Sequence, residues 1–272
     1  MSAAQSSPFP YSAIVLTGGS SGIGKSFLKH IETLNNRVPV CNLSRRIPDG
    51  FSAQLNLTHI EADFSDATAR GRAFDEVLAF LESKGGDGPI LLINNAGFGN
   101  YGQFHLSESS AQREIIEVNI NALIDLTSKL LPLMRQRGGT VMNVASVTAF
   151  QPTPYIATYG ATKAFLLHWG YSLDYELRDT PVRVMTVCPG STDTAFHARA
   201  GMGIQGPSAK FAQTPDEVVV EAMRALERGR PHVVTGWSNK IMTTFGSWLP
   251  WRWATPLSGR VLAHLKAKGP SS

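Results

Sequence analysis

The chain has 272 residues, 43% of them hydrophobic and 17% charged, which is enough for one globular domain with an ample core. Its net charge of +4, from 25 basic and 21 acidic residues, is too weak to indicate nucleic acid but suits an anionic small ligand. The two cysteines, Cys41 and Cys188, have no CxxC or Cys/His spacing and the histidines form no HExxH, so no metal site is expected.

Residues 1–11 read as a flexible lead. They have no basic n-region and no apolar h-region, so a signal peptide is not expected and a reducing cytoplasmic setting is. No run approaches the roughly 20 apolar residues that a membrane span needs. "AIVLTG" (13–18) reads as a buried strand, with a helix from about Ile23 to Asn35. Strands at 38–44 and 59–63 precede a helix over 67–84, stopped by "KGGDG". "ILLIN" (90–94) is apolar throughout, as a strand covered on both faces should be. A long helix over 108–135, a strand over 140–146, a helix over 157–178 and a strand over 182–190 follow. Thr214 and Pro215 give an N-cap and a first-turn proline for a helix to about Arg228, and 232–236 is a last strand. Strands alternating with helices predict an α/β fold, a Rossmann-like doubly wound parallel sheet of about seven strands with helices on both faces. One domain over 12–237 is expected, followed by an apolar, Trp-rich extension over 238–272. Ligands of such sheets bind at the carboxyl ends of the strands.

The first such end carries "TGGSSGIGK" (17–25). It fits a glycine-rich phosphate cradle, and it also fits the G-x-S-x-G elbow that presents a serine nucleophile, here Ser20. The elbow needs oxyanion donors from an earlier strand-to-helix loop, and only about a dozen residues precede this strand. The cradle needs less. Gly18, Gly22 and Gly24 allow a tight turn, and the helix end at Ile23 offers free N–H groups and a positive dipole end. Ser20 and Ser21 are then polar contacts to the ligand, while Lys25 faces solvent. About twenty residues on, an acidic residue would select NAD. The chain has Ser44, Arg45 and Arg46 there and no carboxylate, which points to the 2′-phosphate of NADP(H).

Three further stretches follow strand ends: "NNAG" (94–97), "NVAS" (143–146) and, on the next helix, "YGATK" (159–163). Tyr159 and Lys163 share one helix face, so the ammonium is expected to lower the phenol pKa from ~10 toward neutrality. That would suit Tyr159 to give a proton to a developing alkoxide.

Together these pieces resemble the short-chain dehydrogenase/reductase family over about Ile14 to Gly236, with Ser146 thirteen residues before Tyr159. The resemblance implies a catalytic set of Ser146, Tyr159, Lys163 and Asn119. Tyr159 would be the general acid in reduction and the base in oxidation. Lys163 would bind the nicotinamide ribose, Ser146 would hold the substrate oxygen, and Asn119 would hold a relay water. It also implies that Asp63 and Phe64 meet the adenine and that Asn95, Ala96 and Gly97 line the cofactor. Pro189, Gly190, Thr192 and Thr194 would cover the nicotinamide and pyrophosphate. The substrate would be a small-molecule carbonyl/alcohol pair, and a homo-oligomer, dimer or tetramer, paired through the two long helices, is expected. The alternative is a catalytically silent dinucleotide-binding sensor or scaffold; retention of Ser146, Tyr159 and Lys163 favours the enzyme.

Residues 195–213 read as a lid over the substrate. Phe98, Phe150, Tyr155, Phe196 and Met202 are candidates for an apolar pocket wall, with ordinary packing as the equal alternative. The tail holds Trp248, Trp251 and Trp253 among basic residues, and Pro250 and Pro256 are expected to break any long helix. Packing over the substrate mouth, a subunit interface and a membrane-surface contact compete, and the first two are preferred. The stretches "YGATKAFL" and "CPGSTDTAF" resemble the branch of 3-ketoacyl and broad-specificity ketone reductases, which implies an apolar or lipid-like ketone.

Overall fold

A computed structural model describes residues 9–34, 37–194, 196, 200–201 and 212–263. Seven strands form one parallel sheet in the order β3-β2-β1-β4-β5-β6-β7. They are β1 (Ala13–Thr17), β2 (Val40–Ser44), β3 (Leu57–Glu61), β4 (Ile90–Asn94), β5 (Gly139–Val144), β6 (Val182–Cys188) and β7 (His232–Val234). The order reverses between β1 and β4, where Ala13–Leu16 pair in register with Ile90–Ile93. The carboxyl ends of these two strands therefore flank the crevice in which such sheets bind ligands.

Both faces of the sheet are covered. Ala13 and Val15 of β1 join one core, while Ile14 and Leu16 join the other, because successive side chains of a strand point to opposite faces. Helices α2 (Ala67–Lys84), α4 (Ala122–Arg137) and α5 (Ala157–Glu176) cover the first face through Phe74, Val77, Leu126, Leu130 and Leu166. Helices α1 (Gly22–Thr33) and α6 (Pro215–Glu227) cover the second through Phe27, Leu28, Val218 and Ala222. Each fully buried Leu, Ile or Phe contributes about 1.5–3 kcal/mol. The start of α6 is capped as the chain predicts. Thr214 accepts from the Glu217 amide and Glu217 reaches back, forming a capping box with Pro215 in the first turn.

Two elements differ from expectation. The helix expected over 108–135 is divided into α3 (Ser109–Ile116), a π turn (Glu117–Asn121) and α4. The wide turn brings Asn119 inside, where its amide bonds pull it toward Phe98 and α5. In the tail, α7 (Trp237–Trp248) and α8 (Trp251–Ala263) meet at Pro250 as expected, but Pro256 lies inside α8. The turn persists because its inner face is held: Ala254 is buried and Ser258 Oγ donates to Pro152 O at 2.8 Å.

Candidate active site

The glycine loop joins β1 to α1 and is shaped by backbone that only glycine adopts easily. Gly18 has φ +76° and Gly22 φ +56°. A Cβ on Gly24 would lie 2.2 Å from Gly18 O, so α1 starts directly against the loop. Asn95 braces it from β4, its Nδ2 donating to Thr17 O at 2.9 Å. Asn42 braces it from β2, accepting from the Gly19 amide at 2.8 Å. Ser20, Ser21 and Ile23 are partly exposed along the rim, and Ser21 takes the N-cap position without a side-chain cap bond. The first N–H groups of a helix have no intrahelical acceptor, so this end fits a pyrophosphate. Thr194 approaches from beyond β6: a Cβ on Gly22 would come within 3.3 Å of its Cγ2.

Next along the edge, β2 ends at the buried Ser44, whose hydroxyl donates to Arg46 O at 2.7 Å. Arg45 and Arg46 are exposed beyond it. Lys25, expected to face solvent, instead pairs with Asp49 and ties this turn to α1. Asp63 follows β3 and accepts from the Ser65 hydroxyl and amide, which hold its carboxyl below the usual range, with Arg45 adding to the effect. Phe64 has its ring in the sheet core against Phe74, 6.1 Å between centroids, so only its backbone is left to meet a cofactor.

The Ser146, Tyr159 and Lys163 side chains converge beyond β5. Ser146 is buried, and its hydroxyl lies close enough to the Tyr159 phenol to oppose the rise in its pKa. Lys163 is buried, donates to Val144 O at 2.9 Å and lies 5.6 Å from the Tyr159 ring centroid. Gly97 lies beside this group, since a Cβ there would sit 3.3 Å from Lys163 Nζ and 3.1 Å from Asn119 Oδ1. Asn119 is fully buried and its side chain is committed: it accepts from Phe98 N and donates to Phe98 O and Thr162 Oγ1, each at 3.0 Å. Ala96 N donates to Thr17 Oγ1 at 2.9 Å, fixing the strand end.

The electrostatics differ from the expectation for Tyr159. Burial pushes the phenol up to about 12, opposed by the Ser146 hydroxyl. Burial also pushes the Lys163 ammonium down to about 8. Desolvation of the phenolate therefore outweighs the neighbouring lysine, which directs its proton to a backbone carbonyl. At neutral pH the phenol keeps its proton and the lysine its charge.

Aromatic walls close in on Tyr159. Phe196 packs on its ring at 5.1 Å, and Ile156, Ala200, Tyr101 and Leu262 complete the cluster. Tyr155 has φ +68°, rare for a bulky residue, and stacks on Tyr101 at 5.7 Å. Tyr101 OH donates to Leu262 O at 2.9 Å, so α8 is tied to the site. Phe98 flanks the group through Asn119, but Phe150 does not join it: Phe150 packs on the sheet core and lines a depression with Val234 and Thr243. That position follows from the short helical turn Val147–Phe150, which points its end toward α7. Met202 and most of the expected lid lie outside the described residues. Pro189 O accepts from Val147 N at 2.9 Å, Gly190 lies against Asn239, and Thr192 Oγ1 donates to Gly190 O at 3.1 Å. Asn42, Gly99, Tyr101, Thr162 and Leu262 were not singled out from the sequence. Asn42 alone carried a signal, as a polar residue inside an apolar strand.

A switch-point glycine cradle beside a Ser–Tyr–Lys group defines a nucleotide-binding oxidoreductase of Rossmann-like fold. The family model for short chain dehydrogenase matches residues 12–203, and the chain belongs to that family. It is 28% identical over 228 residues to an uncharacterized oxidoreductase, DltE, of Bacillus subtilis, covering 81% of this chain and 86% of that protein. It is 26% identical over 247 residues to a very-long-chain 3-oxoacyl-CoA reductase of Anas platyrhynchos, covering 85% of this chain and 75% of that protein. A short-chain dehydrogenase from Sphingobium yanoikuyae, solved in complex with NADPH, superposes with a TM-score of 0.70 at 25% identity, covering 82% of this chain and 87% of that one. Among the described residues no group of His, Cys, Asp and Glu could hold a metal ion.

Proposed function

We propose that the protein is an NADP(H)-dependent reductase of an apolar ketone or aldehyde, acting through Tyr159. The observation that carries this reading is the convergence of Ser146, Tyr159 and Lys163, with the Ser146 hydroxyl opposing the rise in the phenol pKa and the buried Lys163 ammonium 5.6 Å from the ring centroid. A substrate carbonyl oxygen held by both hydroxyls would be oriented by Ser146 and protonated by Tyr159. The raised phenol pKa keeps that proton available at neutral pH. Once bound, the nicotinamide supplies a hydride to the carbonyl carbon. Lys163 would hold the ribose hydroxyls and, as a cation, ease loss of the Tyr159 proton. Because the Asn119 side chain is committed to Phe98 and Thr162, a relay water would rest on its backbone carbonyl.

For the cofactor, exposed Arg45 and Arg46 at the end of β2 fit a 2′-phosphate, and the NADPH complex of the Sphingobium protein supports the choice. For the substrate, Tyr101, Tyr155, Phe196 and Leu262 offer an apolar wall, in keeping with the 3-oxoacyl-CoA relative. A homo-oligomer paired through α4 and α5, in a reducing compartment, belongs to the same reading, and sedimentation velocity tests the pairing.

The test is Tyr159→Phe. NADPH oxidation is followed over a panel from fatty 3-keto esters to steroids and small aromatic ketones. The variant should lose about 10²–10⁴-fold in turnover while binding NADPH unchanged by fluorescence. A wild-type protein that reduces nothing in the panel, or a variant that keeps its rate, would sink the proposal.

A further inference from the structure

Helix α7 is turned inside out. Its inner face presents Asn239 and Thr243, both buried, and Gly246, which meets Gln151. Its outer face presents Trp237, Ile241, Phe245 and Trp248, spaced to lie on one side of the helix. Trp237 is 70% exposed, Phe245 73% and Trp248 86%. Helix α8 repeats the arrangement. Ala254 and Ser258 face inward, while Trp253, Leu257 and Val261 are exposed. Both helices pack on the same stretch, residues 150–154, ahead of the Tyr159 helix. Isolated exposed apolar residues are ordinary, but two helices that each turn an aromatic face outward form a contact surface.

Charge indicates what covers it. From Arg228 to Ser272 the chain has seven Lys or Arg residues and no Asp or Glu. Residues 1–227 are net negative, so the basic balance of the chain resides in this last segment. Arg252 lies beside the apolar face, 5.8 Å from the Trp253 ring centroid. There its apolar stem can lie against hydrocarbon while the guanidinium meets phosphates. A second copy of the same face would bring Arg252 toward like charge, with no Asp or Glu in either helix to pair it. No described helix is long and apolar enough to cross a membrane.

We propose that α7 and α8 dock the protein on the surface of an anionic lipid bilayer. The tryptophans and Phe245 would enter the interface, and Arg252 beside them would pair with lipid phosphates. Since Tyr101 ties α8 to the cluster around Tyr159, the docked face lies next to the active site.

Flotation of the full chain tests this, with vesicles of phosphatidylcholine alone and of equal parts phosphatidylcholine and phosphatidylglycerol. Partitioning should be at least about tenfold stronger onto the anionic vesicles and weaken with added salt. Phe245→Ser with Trp248→Ser should lower it by about tenfold or more, with circular dichroism and melting unchanged, because both side chains are exposed. Arg252→Glu should reduce the preference for anionic lipid. Equal binding to both vesicle types, or binding that survives the double variant, overturns the proposal. So does wild-type protein that ignores vesicles; if it is then a dimer that the double variant dissociates, the face belongs to a second copy.

Discussion

Gly99 lies against the ring of Tyr159. A Cβ on Gly99 would come within 3.0 Å of Tyr159 Cδ2 and 3.3 Å of Phe196 Cζ. The glycine thus sets how far the phenol can lean toward the loop. Gly99→Ala should push the ring away from its place beside Ser146. A displacement of this kind costs catalysis more than folding, so turnover should fall about tenfold to 10²-fold, while overpacking costs about 1–3 kcal/mol of stability. Steady-state rates beside a thermal melt separate the two, and an unchanged rate would show that the ring has room to yield.

The brace on the glycine loop gives a second prediction. Asn42 is fully buried, and accepts from the Gly19 amide at 2.8 Å while donating to Ser44 Oγ at 2.9 Å. Asn42→Ala leaves that amide without its acceptor, at a cost of about 1–3 kcal/mol. NADPH affinity should fall with it, because the cradle loses its fixed shape. Denaturant midpoints and fluorescence titration check the pair. A variant that loses stability but not affinity would confine Asn42 to packing.

Arg45 probes cofactor choice. Arg45→Ala should weaken NADPH about tenfold to 10²-fold, as expected for one charge-assisted contact of roughly 1.5–3 kcal/mol. NADH should be affected less than twofold by the same reasoning. Equal weakening of both would count against a 2′-phosphate contact.

Lys163 gives a pH prediction with a definite sign. Its folded pKa, about 8, lies below the unfolded value near 10.4. Between these values the unfolded chain holds more protons, so this group's contribution to stability rises with pH across the window. Below about 8 the cost of burying the charge is present in full. Lys163→Met removes that cost. Its stability relative to wild type should therefore be more favourable at pH 7 than at pH 10, by about 2 kcal/mol. Comparing the two proteins cancels Cys41, whose thiol burial pushes up to about 12 and whose contribution is lost as pH rises past the ordinary thiol range; Cys188, which faces Lys163, is removed from the comparison by making both proteins on a Cys188→Ala background. Urea melts at the two pH values decide it; a difference independent of pH would place Lys163 in solvent-like surroundings.

Much of this was written locally in the chain. Apolar strands such as Ile90–Asn94, caps such as Thr214 and the glycine turn after β1 are short-range signals. They act through backbone geometry, side-chain period and helix-end chemistry, which depend on neighbours in sequence. The alternation of elements gives the parallel sheet, and with it the carboxyl-end edge where Ser146, Tyr159 and Lys163 assemble; the strand order was set by which strands meet.

Tertiary structure decided the rest. The phenol pKa rose where the spacing of Tyr159 and Lys163 predicted a fall, because burial depends on everything packed around the pair. The π turn at Asn119 depends on Phe98 and Thr162, which lie far from it in sequence. Phe150 left the expected pocket, and Tyr101 and Leu262 entered its neighbourhood, through a contact spanning 161 residues. The tail shows the division most plainly. Its tryptophans and basic residues were legible, but which face of α7 turns outward was fixed by Asn239 packing against Gly190 and Gly246 against Gln151. Period and propensity act along the chain, whereas desolvation and facing depend on which distant surfaces meet.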